Sequence, residues 1–456
     1  MKKLCLSRFG AAALILLNVS WSVTNAFAQT EPAPAAVQTL FVNVRVFDGQ
    51  ADQLSEPTNV LIEGNKIAKV SRAAISASPS ATVIDAKGKT LMPGLIDAHT
   101  HIMFSTLPQL AVLTGDVGFL NVAAVKAAED MLMRGFTSVR DLGGPVFGLK
   151  RGIDLGLARG PRIWPAGAFI SQTGGHGDFR LPNELPARPG DFTFSERSGA
   201  AAIADSPDMV RVRAREQLAL GASQIKLMAG GGVASSYDPL DVTQFTVSEL
   251  RAAVEAAENW GTYVSVHAYT PRAVQQAIEA GVKCIDHGQL LDDETAKLMA
   301  DKGVWWSLQP FLDDEDANRY PDGSPNRAKQ LEMTVGTDTA YRLAKKHKVK
   351  TAWGTDILHD AAQAVKQGKR LSKLTRWYTP AEILQMATAD NAELLALSGL
   401  RSPYPGKLGV IQEGALADLL LVDGDPIANI KLIEDPAKNF LIIMKDGRLV
   451  KNMIQL

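Results

Sequence analysis

Between residues 93 and 399, short apolar runs alternate with segments of helical periodicity, and this alternation limits the fold more than any other property of the chain. Strands separated by helices pair in parallel, because a helical crossover returns the chain to the same end of the sheet. Eight runs qualify as strands: 95–101, 137–141, 163–167, 224–229, 263–268, 284–288, 305–309 and 351–356. Among the helices, 247–259 has Ser248 as its expected N-cap before Glu249, and 272–280 is stopped by Gly281. Eight strands with helices between them predict an α/β fold, a (β/α)8 TIM barrel over residues 93–400. The flanks differ in texture. Residues 40–46 and 59–67 read as short strands with a Gly64-Asn65 hairpin turn, and residues 416–422 and 440–450 match them, with Asp446-Gly447 as a second turn. The two β-rich ends, 29–92 and 401–456, predict one small β-sandwich domain assembled from both termini.

The first 28 residues read as a signal peptide. Lys2, Lys3 and Arg8 precede an apolar run over 9–19, and Ala26-Phe27-Ala28 supplies small residues at a cleavage point. The apolar run is too short to span a bilayer comfortably. The expectation is a bacterial periplasmic or secreted protein with no membrane anchor after cleavage near Ala28. Cys5 leaves with the signal, so Cys284 stands alone and the mature chain has no internal disulfide; Cys284 is expected to be a small buried hydrophobe. With a formal net charge of -1, the composition gives no reason to expect nucleic acid as a partner. Two long segments, 171–207 and 311–327, have no clear regular structure and are expected at the mouth of the barrel.

The chemistry is expected at strand ends. His99 and His101 close the run Leu91-Met92-Pro93-Gly94-Leu95-Ile96-Asp97-Ala98-His99-Thr100-His101, and i and i+2 residues of a strand share a face. Two imidazoles presented to one point suit zinc or a similar ion. Lys226, His267, His287 and Asp356 sit in the C-terminal halves of four further strands, the end at which barrel enzymes build their sites. Lys226 is the odd member. Flanked by apolar residues it loses charge readily, and the neutral amine can add carbon dioxide to give a carbamate (N6-carboxylysine) whose two oxygens bridge two cations. The plainer alternative is a buried lysine paired with a carboxylate such as Asp356. The company of four histidines favours the bridge. The expected arrangement puts His99, His101 and Asp356 on one divalent ion and His267 and His287 on a second. Lys226 spans both, and a hydroxide lies between ions about 3.5–4 Å apart. Zinc is the first expectation, although manganese, cobalt and iron accept similar ligands. Asp356 is the expected proton carrier. His176, in a glycine-rich loop, Tyr269, two residues beyond His267, and Arg180 are candidates for binding the substrate. Gly230-Gly231-Gly232 should let the backbone come close to the metals. His347 is expected at the surface, and His359 either orients Asp356 or is incidental.

Pro93-Gly94-Leu95-Ile96-Asp97-Ala98-His99-Thr100-His101 resembles the first-strand signature of the amidohydrolase superfamily, and Glu413-Gly414-Ala415-Leu416-Ala417-Asp418-Leu419 resembles its returning β-domain segment. Lys226, His267, His287 and Asp356 follow in matching order. The resemblance implies a metal-dependent barrel hydrolase with two zinc ions and a carboxylated lysine. Within the superfamily, the regions around His176, Lys226 and His267 are most similar to imidazolonepropionase-related exported dipeptidases and ochratoxin-cleaving amidases. That implies hydrolysis of the amide bond to a C-terminal amino acid in a dipeptide or N-acyl amino acid. A cyclic amide or lactone would suit the same site. A non-catalytic scaffold of this fold is disfavoured because all six ligand positions are filled. The partner expected is a small molecule or dipeptide, and the sequence leaves a homo-oligomer open. The acidic run Asp313-Asp314-Glu315-Asp316 reads as a solvated loop, with selection of a cationic side chain as the rival idea.

The export reading predicts a mature N-terminus at or near Gln29. Intact-mass measurement of protein recovered from a bacterial periplasmic fraction checks it, and retention of residues 1–28 would refute it.

Overall fold

The structure is a computed structural model that describes residues 37–185 and 191–454. The signal-peptide expectation therefore lies outside the described residues. All eight expected strands form, within a few residues of the expected limits, and all are parallel. Leu95–Thr100, Phe136–Asp141 and Arg162–Pro165 make a three-stranded sheet. Ala201–Ile203, Phe169–Ser171, Ile225–Met228, Val264–Ala268, Cys284–His287, Trp305–Leu308 and Thr351–Trp353 make a seven-stranded one, in that spatial order.

The two sheets approach each other at two seams. At the first, the expected third strand stops at Pro165, and Gly167, at φ 78°, separates Arg162–Pro165, which pairs with Phe136–Asp141, from a further strand, Phe169–Ser171, which pairs with Ile225–Met228. At the second, Asp356 N donates to His99 O at 2.8 Å. The Asn391 side chain bridges the same edges, donating to Ile96 O at 2.7 Å and Trp353 O at 2.8 Å and accepting from Trp353 N at 3.0 Å. Gly354 is required here, because a Cβ would lie 2.4 Å from His99 Cβ. A side chain replaces the ladder at this seam, so strand pairing alone does not close a ring.

Helices lie between successive strands, among them Val117–Met133, Pro207–Leu220, Val247–Asn259, Pro271–Ala280 and Asp293–Lys302. The N-cap of Val247–Asn259 is Thr246 rather than Ser248. Thr246 accepts from Glu249 N while Glu249 reaches back to Thr246 N, a reciprocal capping box that Ser248, two residues further on and already inside the helix, cannot make. Gly281 ends the next helix in the left-handed region, at φ 102°. The segment 171–207 is not structureless: it carries the short helix Phe194–Arg197 and the strand Ala201–Ile203. In the second long segment the helix Pro325–Thr334 begins before its expected end.

The two chain ends build one eight-stranded sheet. Gln38–Val46 pairs with Thr58–Glu63 and Thr82–Asp85 along its first half and with Thr90–Pro93 along its second. The switch falls at a register shift between Phe41 and Val44, where Asn43 sits at φ 55°. Leu419–Val422 and Phe440–Lys445 extend it from the C-terminal side. Alternation along these strands divides their burial. Leu420, Val422, Phe440 and Ile443 pack into the core of the parallel strands, whereas Leu419, Leu421, Ile442 and Met444 pack with Phe41, Val60 and Ile62.

One buried ion group ties the terminal sheet to the parallel strands. Arg162 donates to Asp418 at 2.7 Å and to Asp446 at 2.6 Å, and Arg162 and Asp418 are almost fully buried. Arg162→Met would leave Asp418 buried without its counter-charge, which costs about 3–5 kcal/mol. Urea denaturation should report that loss, and a change below about 1 kcal/mol would show that this linkage carries little.

Candidate active site and metal centre

His99, His101 and Asp356 converge first. His99 Nε2 lies 3.3 Å and His101 Nε2 3.2 Å from Asp356 Oδ1. These three residues offer ligand atoms within 4.8 Å of one another. His287 Nε2 is 4.0 Å from Asp356 Oδ2, its ring centroid is 4.9 Å from that of His99, and the His267 centroid is 4.5 Å from that of His287. Asp356 at φ 48° and His287 at φ 80° are both in the left-handed region, a strained backbone for residues with a Cβ.

The outward ring nitrogens fix the tautomers. His101 Nδ1 faces Gly143 O at 3.3 Å and His267 Nε2 faces Gly231 O at 3.0 Å. A carbonyl only accepts, so these nitrogens carry protons, leaving His267 Nδ1 with a free lone pair and His101 Nε2 turned toward Asp356. His287 Nδ1 is held by Gln309 at 2.7 Å. Burial pushes the His99, His267 and His287 imidazoles down, His287 to about 3, so all three are neutral at pH 7. His101 is the exception: burial lowers it, but contact with Asp356 raises it further. Burial lifts the Asp356 carboxyl, yet His99 and His101 beside it more than reverse that and hold it well below the usual carboxylate range. The neutral imidazoles of His99, His267 and His287 and the ionised Asp356, joined by His101 once its Nε2 proton is lost, form a donor set that fits a divalent ion of the zinc type.

Lys226 is 1% exposed and lines the same cavity as these ligands. Its partner is Asp286 and not Asp356. Lys226 Nζ donates to Asp286 Oδ2 at 2.5 Å, while Arg140 Nη2 donates to Asp286 Oδ1 at 2.6 Å. Burial pulls the Lys226 ammonium below its ordinary value, and Asp286 offsets part of that. Arg140 and Asp286, both fully buried, were not singled out from the sequence. The available signal was a charged residue inside each apolar run, which needs a counter-ion.

His176 and Tyr269 line the cavity beside the histidine cluster. The His176 ring stacks on His267 at 4.2 Å, and its Nδ1 meets Ser235 Oγ at 2.6 Å with Asp238 at 3.6 Å. Arg180 does not line the cavity. Its guanidinium is taken by Asp178 and Thr173, which corrects its expected role in binding substrate. The acidic run is solvated only in part: Asp313 and Glu315 are exposed while Asp316 is buried, and three of its four carboxylates are already paired. Asp313 pairs with Arg327, Asp314 with Lys373, and Asp316 with Lys366, Lys369 and Lys373. His347 pairs with Asp293, and His359, with Nδ1 toward Leu107 O, lines the cavity without bonding Asp356. Cys284 is buried, and that burial pushes its thiol up to about 12, as befits an inert hydrophobe.

The amidohydrolase family profile matches residues 90–450, and the chain belongs to that family. It is 31% identical to an ochratoxinase of Aspergillus niger over 381 residues, covering 79% of this chain and 75% of the relative. Among solved structures, an amidohydrolase superposes with a TM-score of 0.84 at 37% identity, covering 92% of this chain and 100% of the other. A prolidase complexed with N-methylphosphonate-L-proline superposes at 0.83 with 34% identity, covering 91% and 100%. The protein is accordingly an amide-bond hydrolase, and its relatives imply a TIM-barrel fold.

Gly232 lets the loop after the Lys226 strand touch His176; a Cβ there would lie 2.2 Å from its Nδ1. Gly232→Ala should displace the His176 ring and lower kcat/KM about 10- to 100-fold with metal content unchanged. Steady-state kinetics beside elemental analysis check this, and unchanged kcat/KM would separate His176 from the reaction.

Proposed function

We propose that the protein is a binuclear metal-dependent hydrolase that cleaves the amide bond to a C-terminal amino acid in dipeptides or N-acyl amino acids. The observation that carries the reading is the convergence of His99, His101 and Asp356 with His267, His287 and the buried Lys226 on one cavity. A phosphonate is tetrahedral and anionic, as is the adduct of water with an amide, so the phosphonate bound in the prolidase complex supports the same chemistry for this chain. In this reading the strands of the two parallel sheets form one (β/α)8 barrel, with Asn391 completing the seam. The sheet from the chain ends folds as a sandwich around Phe41, Val60 and Leu419.

His99, His101 and Asp356 would hold the first ion, His267 and His287 the second, and a carboxylated Lys226 would bridge them. Zinc is the ion we favour. When bound, the pair supplies Lewis acidity toward the amide carbonyl and lowers the pKa of the attacking water. Arg140 makes the lysine chemistry affordable. Lys226 can lose its charge and add carbon dioxide, releasing a proton, while Asp286 stays paired through Arg140 at 2.6 Å. Asp356, ionised at neutral pH, takes the proton of the attacking water and delivers it to the leaving amine. His176, aligned by Ser235, stabilises the developing oxyanion, and the apolar walls around Phe104, Phe169 and Phe311 exclude bulk water. The N-terminal leader read from the sequence supports a location outside the cytoplasm for this chemistry.

Zinc-loaded enzyme should bind two ions per chain and hydrolyse members of a panel of dipeptides and N-acyl amino acids. Asp356→Asn should lower kcat about 10²- to 10⁴-fold. Lys226→Met should stay folded, lose an ion, and lose the carbamate resonance in 13C NMR after reconstitution with labelled bicarbonate. No turnover across the panel by zinc-loaded wild type would remove the substrate assignment, and one ion without a carbamate would remove the bridge.

A further inference from the structure

Among the described residues five arginines are less than a tenth exposed: Arg140 at 0%, Arg162 at 5%, Arg180 at 8%, Arg327 at 4% and Arg370 at 8%. Four have a carboxylate: Arg140 pairs with Asp286, Arg162 with Asp418, Arg180 with Asp178 and Arg327 with Asp313. Arg370 is the exception. Among the described residues no carboxylate oxygen lies within 4.0 Å of its guanidinium. Its side chain makes one hydrogen bond, a long one from Nη2 to Gln363 Oε1 at 3.4 Å, and its Nε is buried with no partner. The acids nearby are engaged elsewhere. Asp314 and Asp316 are held by lysines, and Asp360 caps the helix Ala361–Ala364 through the amides of Ala362 and Gln363. An unpaired buried cation is costly, and a planar fork of free donors is the geometry that binds carboxylates bidentately.

Arg370 lines the same cavity as Asp356, on the helix Gln367–Ser372 that follows the strand Thr351–Trp353. Of the acidic groups, Asp356 acts on it most strongly. Lys373 also lines the cavity, but Asp314 neutralises it with two bonds of 2.7 Å. Tyr269 can donate one neutral hydrogen bond and cannot balance a charge. Arg370 is thus the uncompensated cation on the wall beside the proposed metal centre.

We propose that Arg370 is the specificity-determining anchor for the free carboxylate of the substrate's C-terminal amino acid. This rests on the reading that the substrate ends in one. The guanidinium takes both carboxylate oxygens, replaces the partner that the fold withholds from it, and holds the scissile amide toward Asp356. The anchor acts in binding, so its loss appears in KM rather than kcat. Charge-assisted bidentate bonds of this kind support a discrimination of about 10- to 100-fold.

The test uses zinc-loaded wild type, Arg370→Gln and Arg370→Lys, each checked for native circular dichroism. The ligands are N-acetyl amino acids with apolar, cationic and anionic side chains, each paired with its carboxamide. Calorimetric titration reads binding directly, so the result does not depend on turnover. Wild type should bind at least one acid tenfold or more tighter than its carboxamide. Arg370→Gln should abolish that preference and leave carboxamide affinity unchanged, and Arg370→Lys should keep part of it. For hydrolysed acids, KM should rise with kcat nearly constant. Binding of the acid by Arg370→Gln as tightly as by wild type, no preference in wild type, or no binding of any acid would each overturn the assignment. Absent turnover combined with an Arg370-dependent preference would instead remove the hydrolytic substrate reading and leave the anchor standing. Should Arg370→Gln fail to fold, the comparison passes to Arg370→Lys, where unchanged discrimination also counts against the proposal.

Discussion

The site depends on a single backbone hydrogen bond, from Asp356 N to His99 O at 2.8 Å. It joins the last parallel strand to the first, and so brings a carboxylate from one end of the parallel-strand region to two imidazoles from the other, 257 residues earlier in the case of His99. Direct pairing cannot run along this edge, because the Asn391 amide occupies it and serves the groups a ladder would serve. What remains is a close approach that only glycine at 354 permits. The strained backbone at Asp356 follows from the same constraint. A residue that must leave a strand edge and turn its side chain back over His99 cannot keep extended dihedrals, and the surrounding packing enforces the cost.

Beneath the candidate ligands lies a second constraint, the buried group of Arg140, Asp286 and Lys226. Two cations on one carboxylate is a poor arrangement if all three are permanent, because one positive charge is left over in a medium that solvates it badly. It becomes reasonable if one of the cations is meant to change. Arg140 cannot deprotonate, and it holds Asp286 whichever state Lys226 adopts. Lys226, pushed by burial toward its neutral form, is the member able to react. The electrostatics and the donor chemistry of the histidines therefore point in the same direction from independent residues.

Much of this was legible in the sequence, for definite reasons. The eight parallel strands appeared because buried strands between helices are short apolar runs, and period-2 geometry paired His99 with His101. The same rule hid Asp286. Alternation places residues 286 and 287 on opposite faces, and it fails because His287 adopts φ 80°, which turns its ring toward the ligand cluster while Asp286 still points into the interior. No local pattern announces such a dihedral at a non-glycine residue. Arg180 misled for the opposite reason. A cation in a glycine-rich loop looks available, but Asp178, two residues away, takes it. Arg370 lay in a helical stretch rich in lysine, where nothing distinguishes a cation that turns inward without a carboxylate from those that have one. The acidic run looked solvated because its partners, Lys366, Lys369 and Lys373, come from a segment about 50 residues further along the chain.

The second long segment was expected at the mouth of the barrel without clear regular structure, yet the bonding of the helix at its end makes a wall. Lys329 donates to the carbonyls of Gly232 and Ser235 at 2.6 Å each and to that of Asp238 at 3.1 Å, and Asn326 adds a bond to Val233 O at 2.6 Å. The helix Pro325–Thr334 thus clamps the glycine-rich loop whose carbonyl at Gly231 orients His267 and whose Ser235 orients His176. Glycine gives that loop the freedom to approach the rings, and the clamp removes the freedom once the approach is made. A site of this kind is preorganised: the rings and carboxylate are placed before substrate arrives, so binding energy from the substrate need not be used to assemble them. Selectivity must then come from what the fixed walls present, which is mostly aromatic and aliphatic surface with few charges left uncompensated.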